Sequence, residues 1–476
     1  MVHKMTKANV EISPLGRCTT PNQTVNALYW LGEDLRIADN AIFTDIAEHA
    51  QQLMVVYCID PQWFRCAQYQ ADYVGKHRLR FLLESLQALD DSLNQYGQQL
   101  HIVYARAQDC LPHIINTHGI TRVYRSHHSG ADEQAAWQAV QQHCRTGIQF
   151  STLATQTLFN LQQLPFDLDA LPATFSQFRK LIDGIDITAP SDAISWLPPM
   201  IALQSQDKQL QDWLRYPKWL PQTHRLSNVF CGGEIQGKLQ LDSYFASDLA
   251  HSYKLVRNEL DGWEHSTKFS PWLANGSISA RQVISALGQF ESQHGANDSS
   301  QWIKYELLWR EYFHWYGHKF TSTLFRFSGI SGKKPLTSFY AKRLQAWKTA
   351  TTPYALVNAL MKQLNETGYM SNRGRQIVAS CLVHELQCDW RYGAAYFQQQ
   401  LIDYDVAVNW GNWQYLAGVG ADPRGSRRFN LVKQQQTYDP HGRFIAAWLG
   451  GEALQQNDSN HTANIDGVDM ADWPTA

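Results

Sequence analysis

The chain has 476 residues, 44% hydrophobic and 18% charged, with a formal net charge of −2. That length supplies material for roughly two to four domains with ample buried core. The near-neutral balance excludes a globally basic nucleic-acid binder, so any DNA contact must come from a local patch, and no run approaches the ~18 apolar residues of a membrane span.

Residues 1–24 are polar and read as a flexible lead-in without the apolar core of a signal peptide. Between 25 and 154, short apolar runs recur at 27–31, 53–60, 100–104, 121–126 and 147–153. Helical patterns lie between them, clearest at 77–93, where apolar residues recur three and four apart. Five buried strands alternating with helices predict an α/β domain with a doubly wound, five-stranded parallel sheet. Ligands are then expected beyond the strand C-termini. No GxGxxG follows the first run, which removes the main support for a dinucleotide-binding Rossmann domain.

Residues 155–215 are Pro-, Gln- and Asp-containing, weakly periodic, and read as an interdomain connector. From 216 to 450 the pattern is helical and tryptophan-rich, predicting an all-α second domain. The stretch 451–476 carries five acids without a Lys or Arg and reads as a disordered tail. Eight cysteines form no CxxC and no Cys/His zinc spacing; most of them read as small buried hydrophobes in a reducing cytosol, so a cytoplasmic protein without a metal is expected.

Four stretches carry chemistry. Ser266, Thr267, Lys268 and Ser270, around Phe269 and before Pro271, suit a diphosphate at a loop-to-helix start. The same residues also suit the cap of a helix that Pro271 opens. Glu306, Trp309 and Arg310 are three and four apart and share a helix face. They could grip a base or cofactor, or form an i,i+4 ion pair beside a core tryptophan. Asn372, Arg375 and Gln376 share another face; Arg375 needs an acid, for which Asp403 or Asp405 serves, and Asn372 alternatively caps the helix. The segment 385–415 gathers Trp390, Trp410, Trp413, Tyr415, Asp403, Asp405 and Asn409. Rings that stack and carry single electrons, beside close carboxylates, point to a redox cofactor wrapped in aromatics.

The motifs YKLVRN (253–258), STKFSPWLA (266–274), ELLWRE (306–311), GYMSNRGRQIVAS (368–380), DWRYGAAYF (389–397) and LIDYDVAVNWGNWQYLAGVGADPR (401–424) stand in that order. With them, over about 25–450, the chain resembles the photolyase/cryptochrome flavoproteins, and within these the cryptochrome DASH branch. The resemblance implies FAD, U-shaped, in the helical domain. It assigns the phosphates to Tyr253, Ser266, Thr267, Lys268, Phe269 and Ser270, and counts Arg310 among the cofactor residues. It pairs Arg375 with Asp403 beside the flavin, sets Asp405 against the isoalloxazine or adenine-side hydrogens, and faces Asn409 to flavin N5. Glu306, Trp309 and Asn372 would line the pocket for a flipped pyrimidine dimer. Gln376 stands where ordinary photolyases carry a methionine, and Tyr415 where they carry a second stacking tryptophan.

The implied activity is that of a deoxyribodipyrimidine photo-lyase. It is light-driven repair of cyclobutane pyrimidine dimers, chiefly in single-stranded DNA, by electron transfer from excited reduced flavin in a monomeric enzyme. Two other readings compete. One is a blue-light photoreceptor signalling through a partner. The other is a non-enzymatic nucleic-acid binder using Lys333, Lys334, Lys342, Arg343, Arg424, Arg427 and Arg428.

The sequence departs from the family pattern at four places. The opening reads Trp30-Leu31-Gly32-Glu33-Asp34-Leu35-Arg36, lacking an aromatic and an arginine. His128 falls where an acid holds the pterin of methenyltetrahydrofolate, and together these tell against a folate antenna. Trp413 and Trp390 match the first two members of the flavin-to-surface electron chain, but the third position is Thr337. The loop before 355 and Asn358, where an Asp is usual, should differ in shape.

Overall fold

A computed structural model describes residues 25–66, 68–203, 207–214, 230–421 and 427–450. The expected lead-in and tail, and Arg424, lie outside the described residues. The apolar runs form β1 (Asn26–Trp30), β2 (Gln52–Ile59), β3 (Leu100–Tyr104), β4 (Arg122–Ser126) and β5 (Gln149–Leu153). They pair in parallel in the order β3-β2-β1-β4-β5. Central β1 and β2 are buried almost throughout, as continuous apolar runs require between two helical layers. The helix expected at 77–93 is Lys76–Asn94, burying Leu86, Leu89 and Leu93 in the core on the sheet and Phe81 in the core of the helical half.

The strand order reverses between β1 and β4, and the crevice beyond their C-termini is where a doubly wound sheet offers a site. Here protein from the helical half docks against it. Arg36, fully buried, donates to the carbonyls of Gly276 (2.9 Å), Asp39 (2.9 Å) and Thr155 (2.6 Å). Gly276 has φ +72, and a Cβ there would overlap the Glu33 carbonyl. Asp39 accepts from Arg281 (2.7 Å) and Ser279 (2.5 Å). His127, just after β4, stacks on His318 with ring centroids 4.1 Å apart and planes 10° apart. His128 lies 3.0 Å from Glu33 and 3.8 Å from Glu133.

In the helical half, the helix Asp298–Phe320 packs against Val406–Leu416 and Tyr253–Val256. Asn372–Ser380 runs on into a π-helical turn, Cys381–Glu385, and Trp390–Gln400 follows. Trp315, Trp347, Trp390 and Trp413 are among the largest fully buried side chains, so much of the tryptophan excess is core. Between the halves, Glu311 is 1% exposed and accepts from the N–H groups of Leu158 (2.8 Å) and Phe159 (3.3 Å) and from Trp315 Nε1 (2.7 Å). A buried carboxylate thus ties the segment after β5 to the long helix. Asn358 fixes the loop before Ala355–Thr367, exchanging bonds with Thr352 N (2.8 Å), Oγ1 (2.7 Å) and O (2.7 Å). Among the described residues, no helix is long and apolar enough to cross a membrane.

Candidate functional site

A cavity of ≈ 480 Å³ opens in the helical half, lined by residues of the long helix, the 265–274 segment, the helix Asn372–Ser380 and the 403–415 stretch. Every predicted cofactor residue except Asn409, and all five predicted dimer-side residues, line it together.

Lys268 adopts φ 57 and turns the chain into the short helix Ser270–Ala274, with Pro271 in its first turn. No side chain caps that helix, so the capping reading of these hydroxyls is not realised; Ser266, Thr267 and Ser270 face the cavity instead. The buried ammonium of Lys268 lies 5.0 Å from the Tyr369 ring centre. Tyr253, at the start of a one-turn helix, lines the same region.

Arg375 donates to Asp403 Oδ2 at 2.7 Å and to the Met370 carbonyl at 2.8 Å. Asp403 Oδ1 is buried and has no hydrogen-bond partner among the described residues. Asp405 does not compete for Arg375. Its Oδ2 lies 2.7 Å from His314 Nε2 and 3.8 Å from Arg310, and its Oδ1 accepts from Val408 N at 3.1 Å. Burial alone would raise the Asp405 pKa, but His314 and Arg310 outweigh it and hold the carboxylate well below its ordinary range. Arg310 also donates to the carbonyls of Gln156 (2.6 Å) and Leu273 (3.2 Å). Asn409 sits one helical turn from Asp405, and its amide donates to Ala394 O at 3.0 Å. Its side chain does not reach the cavity lining.

The expected i,i+4 pair does not form. Glu306 is bonded by Arg257 and by Trp302 Nε1 (2.9 Å), because Arg310 is drawn the other way toward Asp405. Burial raises the Glu306 pKa, with Arg257 pulling against it. Trp309 is stacked by Phe175 at 3.8 Å and 15°, and meets the edge of Tyr415 at 6.1 Å. Arg427 lies over Tyr415, 4.6 Å from its ring centre. Ser371, not Asn372, caps the helix, accepting from Gly374 N; Asn372 is its first residue and, with Gln376, faces the cavity.

Trp413 and Trp390 are both buried. The Trp413 ring lies on Gly393, where a Cβ would overlap it, one turn after Trp390 on the same helix. Thr337 is half-buried beside the start of that helix, where Ser338 O accepts from Asp389 N at 2.7 Å. Of the basic residues weighed for nucleic acid, Arg343 is 5% exposed and donates to Leu386 O, so it is not a solvated cation, whereas Arg428 stays exposed while pairing with Glu385 at 3.0 Å.

His314, Arg257 and Phe175 were missed as site residues. His314 stands four residues after Arg310 on the same helix face, a spacing that could have flagged it. Arg257 lies within the YKLVRN motif. Phe175 carries no signal in a weakly periodic segment.

Comparison with known proteins bears on this arrangement. Residues 27–192 match the DNA photolyase family, and residues 302–466 match the FAD binding domain of DNA photolyase. The chain belongs to the photolyase/cryptochrome family and carries its FAD-binding domain. Relatives named cryptochrome DASH include one from Vibrio parahaemolyticus, 48% identical and covering 94% of this chain and 96% of its own. Another, from Idiomarina loihiensis, is 46% identical over 94% and 96%. A Synechocystis cryptochrome structure is 35% identical and covers 90% of this chain and 89% of its own, with TM-score 0.84. The residues present fit FAD: the orphaned, buried Asp403 Oδ1 needs a donor such as a flavin or ribityl hydrogen, and the uncapped 266–270 hydroxyls can meet a diphosphate.

Proposed function

We propose that this chain is a light-driven lyase that splits cyclobutane pyrimidine dimers, preferring single-stranded DNA. The observation that carries the reading is one cavity lined at once by the cofactor set (Lys268, Arg375, Asp403, Asp405) and the dimer set (Glu306, Trp309, Asn372, Gln376, Tyr415). When bound and reduced, FAD supplies a photoexcited electron to the dimer and receives it back. The protein's own residues do the rest. Ser266, Thr267, Lys268, Phe269 and Ser270, with Tyr253, hold the diphosphate. Arg375, kept charged by Asp403, and Asp405, kept ionised by His314, orient the ring system. Trp309, fixed by Phe175, gives a flipped base an aromatic wall, and the Tyr415 ring stands at 76° to it instead of forming a second parallel platform. One strong platform instead of two favours a lesion already unstacked, as in a single strand, where the few-kcal/mol cost of flipping is reduced. Glu306, anchored by Arg257 and Trp302, is placed to accept from a pyrimidine N–H. His128 and Glu33 engage each other at 3.0 Å, which tells against a folate antenna.

The test is direct. Purified, reduced protein under blue light should restore intact pyrimidines in a dimer-containing single-stranded oligonucleotide faster than in the duplex. Flavin-loaded protein that leaves the dimers intact would overturn this reading in favour of a photoreceptor.

A further inference from the structure

Trp390 is fully buried, and Thr337 supplies no ring beyond it at the expected outer position. The rings around Trp390 lead elsewhere. Trp390 meets Trp410 edge to face with centroids 5.8 Å apart. Trp410 lies 6.2 Å from Tyr69, and Tyr69 lies 5.3 Å from Tyr392. Tyr392 stacks at 4.7 Å on Phe339, which is 40% exposed. Trp410 is 3% exposed, whereas Tyr69 and Tyr392 are half-buried. The series therefore passes from core to surface in van der Waals steps. Its outer end is a built site: Tyr69 sits at φ 67 under the Arg391 guanidinium, 5.2 Å from its ring centre, and Arg391 is clamped on Asp389 at 2.6 and 3.1 Å.

We propose that the electron which reduces the bound flavin enters through the Tyr69–Tyr392 pair and Trp410 to Trp390 and Trp413, in place of the outer tryptophan missing at Thr337. The proposal rests on the FAD reading above. Each absorbed photon moves one electron from Trp413 to the flavin. Trp390 refills Trp413, Trp410 refills Trp390, and Tyr69 refills Trp410. Tyr69, or Tyr392 in exchange with it, gives up one electron from its ring and its phenolic proton to water. An external thiol returns one electron and one proton to the tyrosine and leaves as a thiyl radical, which pairs to a disulfide. A half-buried phenol suits this step because water can take the proton. The competing branch is closed at that point: Trp413 to Trp347 (6.3 Å) to Tyr396 (5.7 Å) ends at a ring 8% exposed, whose hydroxyl donates to Asn365 Oδ1 at 2.6 Å, and an amide oxygen is no base.

The experiment is flash photolysis and electron paramagnetic resonance of the flavin-loaded, oxidised protein with and without dithiothreitol, using ring-deuterated tyrosine to identify the radical. Wild type is expected to form a neutral tyrosyl radical that dithiothreitol quenches. Trp410→Phe, and separately the surface double variant Tyr69→Phe/Tyr392→Phe, should lose that signal and photoreduce slowly while keeping their flavin; Tyr396→Phe should keep it. A tyrosyl signal undiminished in Trp410→Phe and in the double variant, or lost only in Tyr396→Phe, overturns the route and leaves the FAD reading intact. Wild-type protein that holds no flavin overturns both.

Discussion

Arg375 and Asp403 meet at 2.7 Å inside the cavity, and the second Asp403 oxygen is buried with no partner among the described residues. One carboxylate thus fixes the cation and still keeps an acceptor in reserve. Asp403→Ala should leave the guanidinium unpaired and cost about 3 kcal/mol, the low end for a broken buried pair because Arg375 is 24% exposed. Flavin retained per protein through gel filtration, read by absorbance, should fall sharply, with Asp403→Asn intermediate. Full retention in the alanine variant would refute the assignment.

Trp309 should act on DNA and not on the cofactor. Removing one stacking ring costs about 1–3 kcal/mol per base, so Trp309→Ala should weaken binding of a dimer-containing single strand by roughly 5- to 150-fold. Flavin absorbance should be unchanged. The check is a fluorescence-polarisation titration in the dark.

Glu311 tests how the two halves are joined. Glu311→Ala strands two backbone N–H groups and the Trp315 indole N–H, all buried, at a cost on the order of 3 kcal/mol. The urea midpoint should drop, and Glu311→Gln, which keeps one acceptor, should lose less. Equal midpoints would remove the anchoring role.

His128 gives a pH signature. Burial would lower its pKa, but the Glu133 and Glu33 carboxylates overcome that and hold it at about 9, above the ordinary 6.5. A histidine raised in the fold stabilises fully below 6.5 and loses that contribution as pH climbs to about 9. Wild type should therefore lose on the order of 3 kcal/mol of its advantage over His128→Gln across that window. Denaturant titrations at either end measure it. The purified protein should also show flavin bands without a separate near-ultraviolet folate band.

The sheet was legible because buried parallel strands are continuous apolar runs bounded by turns; 100–104 matches β3 residue for residue. That Arg375 needs an acid was legible, but spacing left Asp403 and Asp405 equally open, and only the family resemblance singled out Asp403, which the structure pairs with it at 2.7 Å. Glu306 was misread because its partner Arg257 lies 49 positions away, and local spacing offered Arg310 first. Asp405 likewise finds His314 across 91 positions. Such partners are chosen by tertiary packing, which helical spacing does not encode. Arg343 misled for a related reason: composition counts it as basic surface, whereas its place under Leu386 is set by the π-helical turn before it.

The stacked His127–His318 pair has a consequence for the joint between the halves. Burial holds the His127 pKa at about 4 and that of His318 well below 6.5, so both rings are neutral where they touch. His128, the next residue, is charged. Two consecutive imidazoles are therefore held in opposite protonation states, His128 by carboxylates and His127 by burial. Acid below 6.5 favours the unfolded chain, which takes up protons that the stack refuses, and alkali strips the charge from His128. The joint between the halves thus contributes most to stability near neutral pH and less on either side of it.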